Sequence, residues 1–144
     1  MSYFSYRKSL GKLSRDRDKE SKALSKLVQE AKKLGGRAKA DEVYQAESFG
    51  LESIDEDISL LRTRYLINRA EKKSLPLPPM NEEDGFWETG RITGSWYLTN
   101  KGITEVRSLI RKDTREILEI FSKWVSILIG LIGAITGLVA VIRR

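Results

Sequence analysis

WVSILIGLIGAITGLVAVI, residues 124–142, governs how the rest of this chain is read: it is a run of nineteen residues without a charge. At about 1.5 Å per residue the run spans ~28 Å as a helix, close to the ~30 Å hydrocarbon thickness of a bilayer. Its Leu, Ile and Val residues each favour insertion by roughly 0.3–0.6 kcal/mol. The stretch therefore predicts a transmembrane helix. Lys123 and Trp124 flank one end and Arg143 and Arg144 the other, as expected of membrane-interface anchors. Placed at the end of the sequence, such a segment gives tail-anchored, single-pass topology. Arg107, Arg111, Lys112 and Arg115 just upstream put the N-terminal side in the cytoplasm. Ser126, Gly130, Gly133, Gly137 and Ala140 step by four, three, four and three, which sets them on one helical face. Small residues let helices approach closely, so this face is the expected site of association with a second copy or with a partner membrane protein.

Upstream of the run, nothing from Thr104 onward breaks a helix. Ile103, Val106, Leu109, Ile110, Ile117, Leu118, Ile120 and Phe121 supply its apolar positions. Residues 99–123 thus read as a stalk helix with Thr99 as N-cap, continuing into the anchor at 124–142. Before it, residues 86–98 (FWETGRITGSWYL) are aromatic, β-branched and punctuated by Gly90 and Gly94, the marks of a short β-hairpin. Phe86, Trp87, Trp96 and Tyr97 are its expected packing surface. Residues 75–85 begin Leu-Pro-Leu-Pro-Pro and end acidic, a stiff connector that stops the preceding helix.

Residues 14–74 read as an antiparallel helical hairpin turning at Gly35-Gly36, with a single long helix as the alternative. Leu24, Leu27, Val28, Ala31 and Leu34 recur at helical spacing on one side of the glycines, and Ile54, Ile58, Leu61 and Leu66 on the other. Gly50 and the capping-box string Ser53–Glu56 mark a break near 50–53. Residues 1–40 carry twelve Lys/Arg against four Asp/Glu, whereas 41–60 carry seven acids and no Lys/Arg. Opposite charge on consecutive helices is expected to neutralise across the hairpin, and the acids at 52–57 to form a solvated face. Residues 1–13 read as a flexible basic arm; with Tyr3, Phe4 and Tyr6 it could instead settle on an anionic leaflet.

The fold class is therefore mainly α: a helical hairpin, a small two-stranded β-hairpin and a long C-terminal stalk helix. Composition narrows function further. The chain has 144 residues, 32% of them charged, and a mean hydropathy of −0.37. With no Cys and no His, it lacks thiolate nucleophiles, Cys/His zinc sites and imidazole acid–base chemistry. No phosphate-binding glycine loop or calcium loop is present. No catalytic residue, cofactor or metal is expected.

Two resemblances follow from the strings just read. Trp96-Tyr-Leu-Thr-Asn-Lys-Gly102 after a hairpin resembles the wing-to-last-helix passage of winged-helix repressors, which implies membrane-tethered DNA binding. Upstream, however, the long charged helices and the PLPP string depart from that pattern, so nucleic acid is the disfavoured partner. The order Asp55–Leu66, Leu75-Pro-Leu-Pro-Pro79, Trp96–Ile103, Val106–Arg111 and Gly130-Leu-Ile-Gly133 resembles a family of small, uncharacterised bacterial tail-anchored membrane proteins. That resemblance implies a bacterial inner-membrane location and transfers no functional residue. The expected role is a non-enzymatic adaptor, scaffold or regulatory subunit, homo-oligomeric, partnered with the lipid bilayer. The rival reading is a membrane-perturbing effector assembled through its glycine-striped helix.

Overall fold

A computed structural model describes residues 1–142, with side chains through Gly133. The chain forms α1 (Tyr3–Glu47), α2 (Phe49–Glu71), β1 (Trp87–Thr89), β2 (Trp96–Leu98) and α3 (Asn100–Ile142). It divides into two compact units, Met1–Val106 and Arg107–Arg144.

In the first unit α1 is broken from within. Gly35 (φ −146°, ψ 16°) and Gly36 (φ 72°, ψ −159°) leave the helical region, and the Gly36 conformation is one that only glycine occupies readily. The chain reverses there. Tyr6 stacks on Tyr65 with ring centroids 4.1 Å apart, Arg17 pairs with Asp55, and Glu20 lies beside Gly50. Each pair sits at about equal sequence distance from the two glycines, which is the register of an antiparallel hairpin. Leu24, Ala31 and Ala40 are buried on one side, Ile58, Leu66 and Ala70 on the other. The expected hairpin is present and the single long helix is not.

Two boundaries differ from expectation. α1 begins at Tyr3, capped by the Ser2 hydroxyl, which accepts the Ser5 N–H at 3.2 Å. Residues 3–13 are thus the first turns of α1 rather than an arm, because stacking on Tyr65 gives Tyr6 a place in the core. The hitch between α1 and α2 falls at Ser48, not at 50–53. Ser48 keeps helical dihedrals, and the ladder passes through it: its N–H donates to Tyr44 and its carbonyl accepts from Glu52.

α2 closes with Ser74 in the left-handed region (φ 52°) while the Leu75 N–H donates back to the Ala70 carbonyl at 3.0 Å. That wrap-around closure is one in which glycine is the usual residue. The proline connector follows, and the Trp87 indole N–H donates to the Pro78 carbonyl at 3.1 Å. β1 and β2 are antiparallel, with Trp87 opposite Leu98, Glu88 opposite Tyr97 and Thr89 opposite Trp96. Strand alternation turns Trp87 and Leu98 inward, 3% and 1% exposed, and leaves Trp96 at the surface. Of the four aromatics expected to pack, then, Trp96 does not. A two-stranded sheet is marginal alone, and this one rests on α2.

α3 starts where expected. The Thr99 hydroxyl accepts the Gly102 N–H at 3.2 Å, and Ile103 and Val106 enter the core. From Arg107 onward α3 belongs to the second unit. Here the expectation of a transmembrane anchor is corrected. Among the described residues no helix is long and apolar enough to cross a membrane. The charge-free run occupies only the end of α3. Extending it upstream brings in Lys123, Glu119 and Glu116. The transmembrane, tail-anchored and inner-membrane readings are therefore not supported.

Candidate functional site

Three places in the fold hold side chains that core packing alone does not explain. The first is the seam between α2 and the hairpin loop. Glu56 projects from α2 and is only 8% exposed. Its carboxylate accepts the Ile92 N–H at 2.8 Å, the Thr93 N–H at 3.0 Å and the Thr93 hydroxyl at 3.1 Å. Burial alone would raise its pKa, but the hydrogen bonds from Ile92, Thr93 and Arg91 outweigh that and hold the carboxyl below its ordinary value. One helical heptad further along, the Thr63 hydroxyl accepts the Leu98 N–H at 2.8 Å. Gly90 leaves room for the Glu56 carboxylate: a Cβ there would lie 2.6 Å from Oε2.

These groups are spent on structure. Every oxygen of Glu56 is already engaged by the loop, so it is poorly placed to act as a base. The Tyr97 phenol, which donates to Glu88 at 2.7 Å, is pushed up to about 12 by burial and by that neighbouring carboxylate. It stays protonated across the physiological range. Among the described residues no cluster of three or more acids could hold a metal ion.

Glu56 was expected on a solvated acidic face. The sequence did carry a signal of its different role. Glu56, Thr63 and Ala70 repeat every seven residues, and Ala70 lies on the apolar side of α2. A polar residue in a core-facing register is a candidate for buried hydrogen bonding.

The second place is the exposed face of α3. Ile117, Ile120, Trp124, Ile127 and Leu131 alternate steps of three and four and are all more than half exposed. Leu118, Phe121, Leu128, Ile129 and Ile132 flank them and are equally open. The same spacing in Ile103 and Val106 marks residues that are buried in the first unit. Of the expected association face, Ser126 donates its hydroxyl to the Ser122 carbonyl at 3.0 Å, and a Cβ at Gly130 or Gly133 would meet nothing within 4 Å. α3 sets these three on one side of the helix, with Lys123 and Trp124 exposed just upstream. The surroundings of Gly137 and Ala140 lie outside the description, as do Arg143 and Arg144 altogether.

The third place is the charged surface of α1. The basic and acidic blocks were expected to neutralise across the hairpin, and they largely do not. Arg17–Asp55 is the one ion pair joining α1 to α2 among the described residues, with both side chains more than 40% exposed. The other pair, Arg37–Asp41, lies within α1 at 4.0 Å. Hairpin register explains this: the face of α1 turned to α2 carries Tyr6, Leu24 and Ala31, while most of the lysines are on the far side.

Comparison with family models, curated proteins and solved structures finds no match to this chain. The hairpin-to-helix passage that resembles a winged helix is present, but α1 and α2, at 45 and 23 residues, are not the three compact helices that fold requires.

Proposed function

We propose that this protein is a non-enzymatic scaffold or regulatory subunit that self-associates through α3. The observation carrying this reading is the open row Ile117, Ile120, Trp124, Ile127 and Leu131. A helix with large apolar residues at a 3.5-residue period forms a seam for another helix. Contiguous apolar surface of this extent is rarely left in water. Apolar residues along one side of the row, Phe121, Leu128 and Ile132, widen it beyond a strict two-stranded seam, whereas Glu116, Lys123 and Gly130 line its other side. The small residues Ser126, Gly130 and Gly133 offer a side on which neighbouring helices approach closely. Self-association would then display several copies of the Met1–Val106 unit together.

Sedimentation velocity on the full chain, from about 5 to 100 µM, tests the reading. The wild type is expected as a multimer. The triple variant Ile117→Glu, Ile120→Glu, Ile127→Glu is expected to be monomeric, with its far-UV circular dichroism still helical. A wild-type monomer across that range, or a variant of unchanged mass, refutes it.

A further inference from the structure

α1 carries a row of cations that the hairpin leaves unused. Lys8, Lys12, Arg15, Lys19, Lys22 and Lys26 follow one another at steps of four, three, four, three and four. At 100° per residue these positions fall within roughly 80° of arc, one above another along the helix. Lys33 extends the row beyond Glu30, the one acid in it. The whole ridge runs about 37 Å. All of these basic residues are exposed, none is in an ion pair, and only Arg15 makes a hydrogen bond, to the Gly11 carbonyl at 3.1 Å. Like charges three and four residues apart on a helix repel. α1 tolerates that repulsion along its length, with Asp16 and Asp18 at the edges of the ridge and Glu30 within it as the nearby acids of the same helix.

We infer that this ridge binds the phosphate backbone of duplex nucleic acid, without reading its bases. A straight, narrow line of point charges on flexible stems complements a linear polyanion, and duplex DNA presents one phosphate per ~1.7 Å of axis. Two other occupants fit worse. A second copy of this chain offers Asp41, Glu42, Glu47, Glu52 and Asp57, but by helical spacing these point to all sides and form no matching row. An anionic lipid surface is bound by helices that insert an apolar face beside the basic one. In α1 the continuous part of that face, with Tyr6, Leu24 and Ala31, is buried in the hairpin, and the exposed Phe4, Leu27 and Leu34 are too widely spaced along the helix to form another. The inference is independent of the hairpin-to-helix resemblance considered above, since it involves neither the β-hairpin nor α3.

Fluorescence anisotropy of a mixed-sequence 30-base-pair duplex with the full chain tests this across a salt series. Binding is expected in the non-specific range, with affinity falling on the order of 10²-fold between about 50 and 200 mM salt if four phosphates are neutralised. Lys12→Glu, Lys19→Glu, Lys26→Glu together should weaken binding at least tenfold. Arg64→Glu, Arg69→Glu, Lys72→Glu, an equal change of net charge away from the ridge, should stay within about threefold. Circular dichroism checks that both variants keep their helices. Absence of binding near 50 mM salt overturns the inference. So does an equal loss in the two variants, which would mean net charge alone is felt. Vesicles with 30% phosphatidylserine form the last arm: capture of the chain by vesicles in the presence of excess duplex overturns it as well.

Discussion

Replacing Gly102 with alanine should destabilise the first unit, although glycine to alanine in a helix is ordinarily favourable. Gly102 lies in the first turn of α3, against the backbone of Phe86, the residue that precedes β1. A Cβ built there collides with the Phe86 carbonyl oxygen, meets Leu98 Cδ2 at 2.9 Å and the Phe86 carbonyl carbon at 3.1 Å. Two of those atoms are backbone and the third belongs to a fully buried side chain, so none can swing aside. Phe86 O also accepts the Thr99 N–H at 3.0 Å, so moving it strains the cap of α3. Overpacking costs about 1–3 kcal/mol and a weakened hydrogen bond about 1. Alanine returns about 1 kcal/mol of helix propensity. The net is a loss of roughly 2 kcal/mol, or a fall in Tm of roughly 10 °C for a unit of this size. Thermal unfolding followed by circular dichroism measures it. Gly11→Ala is the control: nothing lies within 4 Å of that Cβ, and it should stabilise by up to about 1 kcal/mol. If Gly102→Ala shifts Tm upward like the control, the close approach of α3 to Phe86 is wrong.

Two other outcomes follow from the same structure. Because Glu56 titrates below its ordinary value of 4.5, its stabilisation is complete above that pH and is lost as pH falls through the lower, folded-state value. The urea midpoints of wild type and Glu56→Gln should therefore converge as pH drops from 7 towards 3, and curves that stay parallel would show that the carboxylate does not hold the loop. Ser74→Gly should raise stability by about 0.5 kcal/mol, since relief of a left-handed serine (~1–2 kcal/mol) exceeds the added chain entropy of glycine (~0.5–1 kcal/mol); a lower urea midpoint would count against the closure at Ala70.

The elements were legible because each was written in local terms. Gly35-Gly36 between two apolar periodicities predicts a reversal, and Thr99 ahead of an apolar stripe predicts a cap; both depend on nearest neighbours. What was not legible depends on which faces meet. Arg17–Asp55 joins α1 to α2 because register places Arg17 on the inner edge of α1, while the lysines of the ridge face outward. Charge counts over forty residues average that difference away. Glu56 was obscured in the same manner, by acidic neighbours at 52, 55 and 57 that do not share its facing. The α3 stretch failed differently. A charge-free run of bilayer length predicts a span, yet among the described residues no helix is long and apolar enough to cross a membrane, and upstream the run adjoins Lys123, Glu119 and Glu116.

The Glu56 latch bears on how this chain can change over time. Glu56 holds the loop by the main-chain N–H groups of Ile92 and Thr93, which every residue but proline supplies. The identity of the side chains at Arg91 and Ile92 is then under little constraint from the latch, while Gly90 and the Thr93 hydroxyl are tightly constrained. Variation should accumulate at Arg91 and Ile92 and be purged at Gly90 and Thr93. For an experimenter, Arg91 is accordingly the place to attach a fluorophore or exchange a residue with least disturbance to the fold.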